Sequence, residues 1–231
     1  MGSFIIIVFI GFGVFAIFAA ISAHRKAKER IAALSAWARS RQLGFDEEKR
    51  RDFDDYYPEL KCLRRGSNRY AYNISSGQWG DVYATAFDYH YETHSTDSKG
   101  NRQTHHHHYS CLLLKPEHAM KPLLIRREGL FDKIKAGFGY DDIDFESAEF
   151  SKRFYVTAKD KRWAYDVIHT RAMEMLLAHG NSDGFSIECD HNSLCVVAKK
   201  QLDPQGFERA YRYGHALLDG IPEYARQSVS L

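Results

Sequence analysis

Residues 81 to 93 read DVYATAFDYHYET. Tyr83, Thr85, Phe87, Tyr89 and Tyr91 fall on one face of an extended chain, and Val82, Ala84, Ala86, Asp88, His90 and Glu92 on the other. The aromatic and β-branched content makes this a strand, and its second face turns from apolar to charged at Asp88. Upstream, RYAYNIS at 69–75 has the same texture, with Ser76-Gly77 and Trp79-Gly80 set between the two stretches as turn residues. Downstream, HSTDSKGNRQ at 94–103 is polar and turn-like, and the chain returns through HHHHYSCLLLK at 105–115. A hairpin follows. If its strands pair about a turn centred near Lys99, His90 stands opposite His108 and Glu92 opposite His106, all on one face.

The remainder of the chain extends this sheet. PLLIRRE at 122–128 is a short strand, and GLFDKIKAGFG at 129–139 a helical turn ending in glycines. DDIDFES places Ile143 and Phe145 inside and Asp142, Asp144 and Glu146 outside, as the wet face of a strand, and KRFYVTA at 152–158 is another strand. Asp160 is placed to cap a helix running to about His179, with Trp163, Val167, Ile168, Met175 and Leu176 as its apolar stripe. FSIECD and LCVVAKK form a hairpin around His191-Asn192-Ser193. Asp203 and Pro204 open a last helix that turns Phe207, Tyr211, Leu217 and Leu218 inward and stops at Gly220. The expected fold class is α+β, a mostly antiparallel sheet with two main helices.

Ahead of this domain lies FIIIVFIGFGVFAIFAAI, Phe4 to Ile21, without a charge. As a helix it is about 27 Å long, close to the hydrocarbon thickness of a bilayer, and it reads as a single transmembrane helix. A cleaved secretory signal would carry a basic start and a shorter apolar core, whereas this chain begins Met1-Gly2-Ser3. Arg25, Lys26, Lys28 and Arg30 follow the span directly and form a membrane-surface cluster, so the positive-inside rule keeps the C-terminal part in the cytoplasm. The expected organisation is an anchor over 1–23, a basic juxtamembrane helix over 24–44, a mixed-charge connector over 45–66, the cytoplasmic α+β domain over 67–222 and a tail over 223–231. Trp37 suits either a lipid interface or a contact with the domain.

Formal charge is only +2, which gives no mandate for nucleic-acid binding, and 14% aromatic residues speak for a packed core. Cys62, Cys111, Cys189 and Cys195 make no zinc-ribbon spacing and read as free thiols of a reducing compartment. Among them Cys189 and Cys195, flanking a turn, are the pair placed to meet; a disulfide there would favour a domain outside the cell.

The run DIDFESAEFSKRFYVTAKDKRWAYDVIHTRAMEMLL, with Phe145-Glu146, Glu149-Phe150, Phe154, Val156, Asp160, Ala164, Met173 and Leu176, resembles the C-terminal signature of bacterial membrane-associated proteins grouped as a domain of unknown function. FDYHYET, the following loop and Thr104-His105 resemble the hairpin of related, N-terminally anchored proteins, so the likeness runs from about Tyr70 to Leu202. The resemblance implies fold and placement at a membrane and brings no activity. The four consecutive histidines depart from it, since one histidine followed by ordinary strand residues is the pattern there.

His90, Glu92, His106 and His108 are the candidate metal ligands, able to hold Zn²⁺ or Ni²⁺ if the register is as stated. A solvated hairpin tip and a tag-like insertion are the plainer readings of the same residues. The chain contains no P-loop, GxGxxG, GxSxG or HExxH, and no residues are assigned to catalysis or to an organic cofactor. The expectation is a single-pass protein of the inner membrane whose cytoplasmic domain is a non-enzymatic binding or scaffold domain for a protein or other partner; the alternative is a metal-binding sensor or metal-dependent hydrolase built on the histidine hairpin.

Overall fold

The structure, a computed structural model, describes residues 2–127 and 142–229, with side chains described for all of these except 2–16 and 179–183. The helical turn expected over 129–139 lies outside the described residues. In chain order the elements are α1 (Gly2–Ser40), β1 (Gly44–Asp46), β2 (Ser67–Trp79), β3 (Val82–Thr96), β4 (Arg102–Lys115), β5 (Leu123–Arg127), α2 (Ala148–Arg153), β6 (Phe154–Ala158), α3 (Lys161–Val167), α4 (Thr170–Asp183), β7 (Ser186–Cys189), β8 (Leu194–Val197), α5 (Pro204–Gly220) and α6 (Glu223–Gln227). The fold is α+β. The eight strands of the described residues join in a single sheet of order β1-β2-β3-β4-β8-β7-β5-β6, and every neighbouring pair is antiparallel.

The pleat sorts the side chains into two cores. Val82, Ala84 and Ala86 of β3, Leu112 and Leu114 of β4 and Leu194 and Val196 of β8 face a large cluster covered by the helices, among them Trp163, Leu176, Phe207 and Tyr213. The alternate positions, Phe87, Tyr89, Cys111, Leu113, Cys195 and Val197, face a smaller cluster closed by Leu60, Cys62 and Leu63. Residues 45–66, expected as a connector, therefore belong to the fold. They supply β1, two short 3-10 turns and the cover of the second core, and Asp54 in the first turn is buried against Arg64 and Arg69. The expected tail does likewise, since α6 seats Ala225 in the large core.

Helix α1 is unbroken from Gly2 to Ser40. Its last turns are part of the domain: Leu34, Trp37 and Ala38 are buried, Trp37 meets Trp79 edge-on at 5.3 Å and stacks on Phe207 at 5.4 Å, and its indole N–H donates to Glu208. Gln42, with φ 59°, turns the chain into β1. Ile17, Phe18 and Ile21 are exposed on the outgoing part of the helix. Among the described residues no helix is long and apolar enough to cross a membrane. The side chains of 2–16, which hold most of the Phe4 to Ile21 run, lie outside them.

Asp160 caps as expected, its carboxylate accepting from the Trp163 amide at 3.0 Å. The helix behind it ends early, at Val167; His169 is extended, bonds through Nε2 to the Gly220 carbonyl of α5, and starts α4 in a new direction. Ile143 and Phe145 are buried and Asp142, Asp144 and Glu146 exposed, the expected alternation, although the segment forms no strand and meets β6 through the Ile143 amide on the Val156 carbonyl and the Val156 amide on the Asp142 carboxylate. Cys189 and Cys195, the one pair the sequence left able to meet, do not do so. The hairpin pairs Cys189 with Leu194 and Glu188 with Cys195, so the two thiols point to opposite faces. Cys195 instead approaches Cys62, Sγ to Sγ 3.9 Å, and all four cysteines are free and buried.

Candidate functional site

Strands β3 and β4 pair without a slip from Tyr83↔Lys115 to Thr96↔Arg102, which sets His90 opposite His108 and Glu92 opposite His106. Strand β8 accompanies β4 only over Cys111 to Leu114, and the histidine-bearing end of the hairpin runs on past it. On this face the apolar series Val82, Ala84, Ala86 continues as Asp88, His90 and Glu92, and burial persists into it: Asp88 is fully buried and His90 is 2% exposed. Buried polar groups need partners, and two adjacent clusters supply them.

The first cluster centres on Asp88. Its carboxylate accepts from Arg30 Nη1 at 2.6 Å and Nη2 at 2.8 Å, Asn73 Nδ2 at 2.8 Å, the Ser110 hydroxyl at 2.6 Å and Gln201 Nε2 at 3.3 Å. Arg30 also donates to the Leu202 carbonyl. Arg30 thus sits apart from Arg25, Lys26 and Lys28, which are exposed on α1; its guanidinium is engaged in riveting the helix to the sheet.

The second cluster, two residues along, is built from His90, Glu92 and His106. His90 Nδ1 lies 3.0 Å from the Asn68 carbonyl oxygen. A carbonyl only accepts, so Nδ1 carries a proton, and in the neutral ring this leaves the lone pair on Nε2, the tautomer that suits an imidazole to a metal. That lone pair points at His106 Nδ1, 3.2 Å away, and the same Nδ1 lies 3.3 Å from Glu92 Oε1. Asn68 Nδ2 donates to Glu92 Oε1 at 2.6 Å, which, ahead of the neighbouring imidazoles, holds this carboxyl below its ordinary value. The three ligand atoms lie within 4.8 Å of one another. His90 is the buried member, Glu92 is partly buried, and the His106 side chain, 58% exposed, opens the cluster to solvent.

Asn68 fixes two of these three groups, and its backbone explains how. Strand β2 shifts register between Ser67 and Tyr70, a bulge in which Asn68 takes φ 49°. Asn tolerates that left-handed conformation better than most residues, and the bulge turns both its carbonyl and its amide toward β3. A second irregularity, between Tyr72 and Ser75, holds Asn73 at φ 51° and aims its amide at Asp88. Nothing in the local sequence of β2 announces either bulge beyond the two asparagines themselves.

His108, the fourth expected ligand, is placed differently. Gln201 donates to the Tyr72 hydroxyl at 3.0 Å, and that hydroxyl lies 2.9 Å from His108 Nδ1, so the phenol donates to the ring nitrogen. Burial, then the neighbouring His90 and His106, hold His108 below the usual imidazole range, and burial with the Asp88 charge pushes the Tyr72 phenol up. His108 is therefore a neutral ring with its Nδ1 lone pair in use, standing 4.7 Å from His90 as a wall of the cluster. Tyr70 stacks on His90 at 4.4 Å from another side. His105 and His107 face away and bond to Ser95 and Thr93.

Elsewhere, His215 meets Asp81 at 2.6 Å through Nε2 and Asp219 at 3.0 Å through Nδ1. The triad ties the β2–β3 turn to α5, and its ligand atoms also lie within 4.8 Å of one another, but both carboxylates are exposed and, among the described residues, no buried group orients the ring.

No protein-family model and no curated protein matches this chain. Among solved structures, the crystal structure of the mycobacterial trehalose monomycolate transport factor A, TtfA, superposes with a TM-score of 0.53 at 13% sequence identity, covering 83% of this chain and 96% of that one. At that identity the likeness is one of fold.

Proposed function

We propose that this chain is a single-pass protein of the bacterial inner membrane that holds a non-enzymatic binding domain at the cytoplasmic face. The observation that carries the reading is the continuity of α1. The helix that begins at Gly2 ends inside the domain, fixed by Trp37 between Trp79 and Phe207 and by Arg30 on the buried Asp88. Its outgoing part exposes Ile17, Phe18 and Ile21, which continue the apolar sequence from Phe4. Large apolar side chains on a helix leaving a folded domain call for a nonaqueous partner, and the length and hydropathy of the run match lipid. Arg25, Lys26 and Lys28 then lie where the helix meets anionic headgroups, each contributing about 1 kcal/mol near the surface.

A domain fused to its anchor by a rigid helix is confined to a thin layer with a restricted orientation, which raises its effective concentration for partners held in the same membrane. Trp37 meets Trp79 and Arg30 meets Asp88, so α1 toward its N-terminus and β3 toward the hairpin tip leave the domain on the same side. The histidine end of the hairpin accordingly belongs to the membrane-proximal side.

Fractionation tests the reading. The full chain is expected in the membrane pellet after alkaline carbonate extraction, with its domain protected from protease added outside intact cells. Recovery of the chain, N-terminus intact, from the aqueous fraction would overturn it. Crosslinking in cells with the full chain and with a form lacking residues 1–23 is expected to give different partner sets.

A further inference from the structure

We propose that His90 Nε2, His106 Nδ1 and the Glu92 carboxylate bind one first-row divalent transition-metal cation, with an open coordination position facing solvent beside His106. This site stands independently of the membrane reading.

Four observations converge on it. The first is spacing. Ligands about 2.0–2.1 Å from a tetrahedral Zn²⁺ lie about 3.3 Å from one another. Two edges of the cluster, His90 Nε2 to His106 Nδ1 and His106 Nδ1 to Glu92 Oε1, are 3.2 and 3.3 Å, and all three ligand atoms lie within 4.8 Å of one another. The second is preparation: the Asn68 carbonyl holds the His90 tautomer that leaves Nε2 as the donor, and the Asn68 amide orients Glu92, which are the two supports that outer residues of metal sites provide. The third is burial. His90 is 2% exposed, sandwiched by Tyr70 and His108, so the ring has one position, and its lone pair has one direction. The fourth is the donor set. Two imidazoles and one carboxylate suit zinc, iron, cobalt, nickel or copper and exclude calcium and magnesium, which take oxygen ligands.

Binding needs one internal rearrangement. His106 Nδ1–H faces both the His90 lone pair and Glu92; the cation takes that place, and the proton moves to His106 Nε2 on the exposed edge of the ring. His105 and His107 lie on the other face and contribute nothing. The proposal therefore separates a built site from a run of histidines that chelates metal as a tag does.

The experiment is titration of the full-length chain, carrying no affinity tag and held in detergent micelles, with Co²⁺ followed by its visible absorption and with Zn²⁺ in competition. One equivalent is expected to bind, with a tetrahedral cobalt spectrum that zinc abolishes. His106→Gln and Glu92→Gln are each expected to lose stoichiometric binding, Asn68→Ala to weaken it about 10- to 100-fold, and His105→Gln and His107→Gln to leave it unchanged. Zinc is expected to raise Tm of the wild type and of His105→Gln but not of His106→Gln, a readout that also verifies folding. Failure to bind one equivalent overturns the proposal. So does equal loss in all four histidine and glutamate variants, the signature of tag-like chelation.

Discussion

Asp88 and His90 sit two residues apart on the same face of one strand, both buried, and each is served by an asparagine in a bulge of β2. The Asp88 cluster is closed. Arg30 neutralises the carboxylate and every other contact is a donor aimed at it. The His90 cluster is the converse: a lone pair, a carboxylate oxygen and a second ring nitrogen converge on one another, with a single proton shared between them. The same device, an asparagine held at positive φ, builds a structural lock in one case and, in the other, the donor set proposed to receive a cation. What distinguishes them is the balance of donors and acceptors rather than burial or position.

That comparison is broken most severely by removing the lock. Arg30→Met leaves the Asp88 carboxylate buried without its charge partner, and a loss of about 3–5 kcal/mol in unfolding free energy is expected. Denaturant titration of the chain in micelles checks it, and a change below about 1 kcal/mol would mean that Arg30 is not the lock.

The receptor is sharpened by Gly66→Ala. Gly66 has φ 57°, and a Cβ there would meet the Glu92 carbonyl oxygen at 2.1 Å, so the backbone of β3 must shift at a ligand position. Loss of zinc affinity of at least tenfold is expected, with stability lowered by about 1 kcal/mol or more. Isothermal titration and thermal unfolding measure the two effects separately.

Tyr72→Phe touches both clusters. It removes the hydroxyl between Gln201 and His108 and is expected to cost about 1 kcal/mol. It also frees His108 Nδ1, so nitrogen chemical shifts should show a change of tautomer population at His108 and none at His90.

The smallest effect concerns the other closed cluster. The Asp81 carboxyl is held below its ordinary value first by its hydrogen bond to His215. An acid with a depressed folded pKa contributes stability above its unfolded value of 3.8 and loses it as pH falls through the folded one. Asp81→Asn is therefore expected to be slightly less stable than the wild type at neutral pH, with the difference shrinking as pH falls below 3.8 and through the folded value, as acid unfolding curves of the two would show.

Much of the sheet was legible because its signals are local. Alternation in 81–93 and a turn near Lys99 are enough to place His90 opposite His108 and Glu92 opposite His106, since a hairpin's register follows from its turn. Asp160 and Asp203 cap helices because the cap is made within three residues. What could not be read depends on distant partners. Arg30 looks like its basic neighbours until Asp88 is brought to it. Asn68 looks like a loop residue until a bulge turns it toward β3. His108 looks equivalent to His106, and the Tyr72 hydroxyl, itself held by Gln201, is what sets the wall apart from the proposed ligand. Residues 45–66 carry enough charge to suggest a connector, yet Leu60, Cys62 and Leu63 are the apolar minority that closes the second core.

The difference between the two clusters rests on what surrounds a cation bound at His90. X-ray absorption at the zinc edge of the full-length chain loaded with one equivalent examines that shell directly. Two imidazole nitrogens near 2.0–2.1 Å, one carboxylate oxygen and one further light atom are predicted. A shell of three or more imidazoles would mean that the consecutive histidines bind zinc as a flexible run and that the geometry around Asn68 has no part in it.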